Sequence, residues 1–111
     1  MTHKHLSTLC DLTSVAHARI QQDFESINPV VGVSQKMRDS GIPADAMTVD
    51  CLKTGKRIII ILHDQQPEML SYQFSFKDKE PADEFEQMSF AEFGETTLYS
   101  WMKDYFLSAN L

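Results

Sequence analysis

Cys51 and His63 are the residue types a thiol nucleophile and its base require, but their spacing argues against the pair. Met47 to Lys53 alternate apolar and polar side chains, Thr54-Gly55 reads as a turn, and Arg57-Ile58-Ile59-Ile60-Ile61-Leu62-His63 reads as the returning strand of a hairpin over 47–63. Cys51 then lies beside the turn and His63 at the far end of its neighbour, roughly 20 Å away at about 3.3 Å per residue. Cys10 falls in or just before the first helix, with nothing to bring it to His63. Both cysteines read as small buried hydrophobes. Two distant cysteines in no metal-binding spacing fit a reduced, cytoplasmic protein.

His63-Asp64 is the better-placed constellation. It leaves a buried strand into the polar loop Asp64-Gln65-Gln66-Pro67-Glu68, and strand ends of this kind often carry sites. These two residues are the candidate catalytic pair of an alternative, enzymatic reading. The plainer reading has His63 close the sheet and Asp64 open the turn. His3, His5 and the terminal amine have the nitrogen donors of a tetragonal copper or nickel site, yet such a tail is more simply solvated. No other metal pattern occurs, and no metal or cofactor is expected. Gly55-Lys56-Arg57 lacks the remaining residues of a phosphate loop.

The largest charge feature is acidic. The 111 residues carry a net charge of -6, and Asp78, Glu80, Asp83, Glu84, Glu86, Glu92 and Glu95 fall within eighteen positions. Such a stretch repels phosphate backbones and anionic bilayers, so nucleic acid and membrane are not expected partners. Phe85, Met88, Phe90 and Phe93 are interleaved with the acids. Asp83, Glu84, Phe85, Glu86, Phe90 and Glu92 are therefore the candidate partner-binding residues, with apolar anchors inside an acidic rim suited to a basic protein surface. The competing reading is a solvated face over ordinary core.

The elements that must position these groups follow from periodicity. Residues 1–6 read as a loose tail, and 7–111 as a single domain. Leu9, Leu12, Val15, Ala16, Ile20, Phe24 and Ile27 recur at helical spacing, so a helix is expected from Ser7 to Ile27, stopped by Asn28-Pro29. Residues 29–40 read as a second helix, with Pro29 at its start, Lys36-Met37-Arg38 as its last turn and Gly41 as its left-handed exit. A short strand over Val30-Val31-Gly32-Val33 competes with that helix.

The five aliphatics Ile58–Leu62 stand between charged ends, and 57–63 reads as the central strand. For its pairing, a two-residue loop would set Cys51 opposite Ile58. A three-residue loop with Gly55 in a bulge would set Cys51 opposite Arg57, and the bulge is favoured. Residues 70–76 alternate, with Leu70, Tyr72, Phe74 and Phe76 on an apolar face and Ser71, Gln73 and Ser75 on a wet one. Residues 82–93 fit neither period, although Ser89-Phe90-Ala91-Glu92 matches a capping box and Glu84–Met88 could add a strand. Leu98, Trp101, Met102, Tyr105 and Phe106 mark a final helix over 96–108.

The expected fold is α+β: an antiparallel sheet of three or four strands packed by an N-terminal helix or helix pair and a C-terminal helix. In size, charge and build alone, such a domain is similar to bacterial secretion chaperones. The functional expectation is a small acidic cytoplasmic protein-interaction module, an adaptor, chaperone-like or regulatory protein, with a homodimer as an option. The alternative is a small hydrolase or transferase with its site at Leu62–Glu68. The reading leans away from an enzyme.

Overall fold

A computed structural model describes residues 3–25, 27–80 and 83–107. The chain runs α1 (His3–Asp23), β1 (Val30–Ser34), α2 (Lys36–Asp39), β2 (Ala44–Cys51), β3 (Lys56–His63), β4 (Met69–Phe76), β5 (Glu86–Ser89), a 3₁₀ turn (Phe90–Glu92) and α3 (Glu95–Phe106). The five strands form one antiparallel sheet in sequence order, with β3 at its centre as its composition predicts. The sheet has one strand more than the upper expectation.

The additional strand is β1. Three β-branched valines around a glycine make a poor helix interior and a serviceable strand, and Val30–Ser34 pairs in register with Asp50–Ala46 of β2. The expected helix over 29–40 shrinks to the single turn of α2. Its exit is as expected: Gly41 has φ 89°, and the amides of Gly41 and Ile42 donate to the carbonyls of Arg38 and Met37 at 3.1 and 2.8 Å. They close a one-turn helix rather than a long one.

Helix α1 starts at His3, inside the expected tail, and ends at Asp23, four residues before Ile27. The chain must reverse before β1. Phe24 and Ile27 form that reversal through amide bonds to the carbonyls of Ile20 and Phe24. His17 Nε2 donates to the Pro29 carbonyl at 2.7 Å and ties the reversal to the helix. Met1, Thr2, Ser26 and Ser108 lie outside the described residues.

The β2–β3 register differs from both expected pairings. Cys51 faces Lys56, and the connection is the four-residue Leu52–Gly55, closed by the Gly55 amide on the Cys51 carbonyl at 2.8 Å. Gly55 does supply a left-handed residue, with φ 76°. A run of four isoleucines pairs equally well after a slip, so the ends of the ladder set the alignment. In the observed register Asp50 faces Arg57, and Lys56 points under α3, where its Nζ donates to the Tyr105 carbonyl at 2.9 Å.

Helices α1 and α3 cover one face of the sheet. Leu9, Ala16 and Ile20 of α1 and Leu98, Met102 and Phe106 of α3 close on Met47, Val49, Ile58, Ile60 and Leu70, all at most 3% exposed. Each such side chain contributes about 1.5–3 kcal/mol through removal from water. The helices are fastened to each other by the Tyr99 hydroxyl on Asp23 and by Arg19 over the Tyr99 ring, 4.4 Å from its centroid. Among the described residues, no helix is long and apolar enough to cross a membrane.

Candidate functional site

The strand-end candidates His63 and Asp64 sit beside a cavity of about 300 Å³, shared with His5 and Asp45 and walled by Leu62 and Met69. The two acids on its wall, Asp45 and Asp64, are both bound by Arg38, a residue expected only as a helix-end charge. The guanidinium Nε and Nη2 donate to Asp45 at 2.7 and 2.9 Å, and Nη1 and Nη2 donate to Asp64 at 2.8 and 2.9 Å. Asp45 is 2% exposed on the core face of β2, and Gln35 adds a bond at 3.2 Å. The Arg38 fork holds the Asp45 carboxyl below its usual range despite burial, and the two carboxylates push the guanidinium further up.

Both acids in this cavity are therefore held by one cation. His63 Nδ1 accepts the Gln65 amide at 3.2 Å, which leaves the ring proton on Nε2. Among the described residues, no serine, threonine, cysteine or lysine lines the cavity. The arrangement is that of a clamp: Arg38, from the β1–β2 connection, pins the start of β2 to the turn after β3.

The thiols lie elsewhere. Cys51 faces Lys56 at one end of the β2–β3 ladder and His63 faces Ala44 at the other, about 23 Å away at 3.3 Å per residue. Cys10 opens onto a cavity of about 410 Å³ between α1 and β1, with His17 and Val31. Burial and the neighbouring Asp11 push its thiol up, away from the nucleophilic thiolate. His5 is stacked on Phe90 with centroids 4.5 Å apart; the side chain of His3 lies outside the described residues. Among the described residues, no three His, Cys, Asp or Glu side chains converge as a metal centre needs.

The acidic segment does not gather into one patch. Asp83 and Glu84 are exposed just before β5, Phe85 is half-buried, and Glu86 opens β5 opposite Tyr72. Phe90 and Glu92 belong to the 3₁₀ turn at the other end of that strand, about 13 Å from Glu86. Phe90 packs against the core and its amide donates to the Glu68 carbonyl at 2.8 Å. Of the two expected aromatic anchors, Phe90 is thus largely a packing residue.

The exposed aromatic surface lies on β4 and α3. Leu70 is buried and Tyr72 partly so, but Phe74 and Phe76 on the same face are 42% and 38% exposed. Phe74 meets Trp101 edge-on at 5.5 Å and Tyr105 at 5.1 Å, and Trp101 also packs on Tyr72 and Phe93. Phe74, Trp101, Asp104 and Tyr105 line a cleft of about 300 Å³. The Tyr105 hydroxyl donates to the Ser75 carbonyl at 2.6 Å, and its desolvation pushes the phenol up. Lysine ammoniums already lie over this stripe: Lys56 is 5.1 Å from the Tyr105 centroid, and Lys79 is 5.1 Å from that of Phe76.

The sequence placed Trp101 and Tyr105 in a packing helix and Phe74 and Phe76 in the core. The alternation of β4 marks which face is apolar, not how far the helix layer extends over it.

No protein-family model, no curated protein and no solved structure matches this chain.

Proposed function

We propose that this protein is a cytoplasmic interaction module, without chemistry of its own, that binds a basic segment of another protein in the Phe74–Trp101–Tyr105 cleft. The observation that carries this reading is Phe74. It is 42% exposed, yet held by three aromatic neighbours, Tyr72, Trp101 and Tyr105, so its ring is ordered before any partner arrives. Rigid aromatic side chains of this kind act as anchors because little conformational freedom remains to be lost on binding. Asp104 lines the cleft and Glu86 lies beside Tyr72, giving a carboxylate rim. Lys56 and Lys79 already lie over Tyr105 and Phe76, so a lysine or arginine of the partner would be taken by Phe74 and the carboxylate rim. At the strand end, Arg38 engages both Asp45 and Asp64, which supports a structural use of these carboxylates over acid–base chemistry.

Trp101 is the chain's single tryptophan and reports directly on the cleft. Its fluorescence should shift when lysine-rich apolar peptides are added, and not with glutamate-rich peptides of equal apolar content. Phe74→Ala should abolish the response while far-UV circular dichroism is unchanged. An unaltered response in Phe74→Ala would remove the cleft from consideration.

A further inference from the structure

We propose that β1 is the surface through which two copies of this chain pair, antiparallel about Gly32, joining their five-stranded sheets edge to edge. The two edges of the sheet are unlike. The β5 edge is guarded by charge, with Glu86 on the strand and Asp83 and Glu84 just before it, the usual protection against strand addition. The β1 edge has no such guard. From Ile27 to Gln35 there is no charged residue, although the chain carries a net charge of -6. Val30, Val31 and Val33 are 46%, 37% and 47% exposed, on both faces of the strand.

A second copy is the occupant these features fit. It too carries -6, and β1 is the sheet edge it can approach without facing carboxylates. A two-fold interface must also be self-complementary. Antiparallel pairing about Gly32 sets Val31 opposite Val33 of the second copy and Val30 opposite its Ser34, with only the two glycines on the axis. Val33 of the second copy then lies beside Val31, at the mouth of the cavity of about 410 Å³ between α1 and β1. Continuing that register sets Pro29 opposite Gln35 and Asn28 opposite Lys36, so no like charges meet. This inference does not depend on the aromatic cleft.

The test combines sedimentation equilibrium with a placed cysteine. The wild-type chain should approach twice its 12.7 kDa at high concentration. Val33→Lys, at an exposed position, should return it to a single chain with unchanged circular dichroism. On the proposed axis the two Gly32 Cα atoms are about 4.5–5.5 Å apart, within disulfide reach. A Cβ at Gly32 meets only Thr48 Oγ1 at 3.3 Å, and its φ is not in the left-handed region. In a Cys10→Ala background, Gly32→Cys should therefore form a covalent dimer under mild oxidation. Val30→Cys should do so at least an order of magnitude more slowly, because its copies stand about 13 Å apart along the strands. A mass of one chain at every concentration overturns the proposal, as does a dimer that survives Val33→Lys without cross-linking at Gly32→Cys. So does a monomer whose β1 amides become protected only when a foreign peptide is added.

Discussion

Arg57 reaches across the β2–β3 ladder to Asp50, with Nε and Nη2 donating to the two carboxylate oxygens at 2.6 and 2.9 Å. The pair lies on the face of the sheet that the helices leave uncovered, and Asp50 is only 6% exposed. It resolves an ambiguity the four isoleucines cannot, since a one-residue slip would separate these charges and turn Arg57 toward the core. Asp50→Asn should destabilise the domain by about 2 kcal/mol in urea unfolding. The exchange Asp50→Arg with Arg57→Asp should recover part of that loss; no recovery would show that the pair does not set the register.

The Arg38 clamp gives stability a pH signature. Asp45 has its folded value lowered, so its contribution is present above the unfolded carboxyl value of about 4 and is lost as pH falls through the lower folded value. In Arg38→Gln the lowering partner is gone while burial remains, so the Asp45 carboxyl should move up. That variant should lose stability as pH rises from the acid side toward neutrality, opposite to the wild type. Urea midpoints across the acid-to-neutral range distinguish the two profiles.

Ile60 is fully buried at the centre of β3. Ile60→Asp should abolish soluble folding, because an unpaired charge there costs several kcal/mol out of the roughly 5–15 that hold a domain together. Soluble expression with a cooperative melt would contradict the central position of this strand.

Asp83, Glu84 and Glu86 are exposed, so replacing them with Asn and Gln should alter stability by no more than about 0.5 kcal/mol each. Association with a basic partner should slow and lose part of its salt dependence. An unchanged salt profile would leave these acids a solvating role only. Phe74→Ala should act on the off-rate instead, with a stability loss of about 1–2 kcal/mol for a half-exposed ring.

The sequence reveals the helical stripes, the central strand and the alternation of β4, because each is a period carried by many side chains. It offers β1 only as the second choice over Val30–Val33, because the capping signals of a one-turn helix stand close enough to Pro29 to suggest a longer one. It also hides the sites. Arg38 meets Asp64 across 26 positions, and Trp101 meets Phe74 across a similar span, and no local pattern encodes such meetings. The acidic segment was legible as composition, but composition does not say that β5 sends Glu86 and Phe90 to opposite ends of a strand.

Strand order in this sheet is sequence order, which bears on how the chain acquires its shape. Each strand finds its partner among residues that have just preceded it, so every closure in the sheet is short and entropically cheap. The contact between α1 and α3 joins opposite ends of the described chain, through Arg19, Asp23, Glu95 and Tyr99, as does His5 against Phe90. A nascent chain can therefore zip its sheet progressively and wait for the final helix to seal the hydrophobic layer. Until then the core face of β3 and β4 stands open to water, and that interval is when the protein is most vulnerable to sticking to its neighbours.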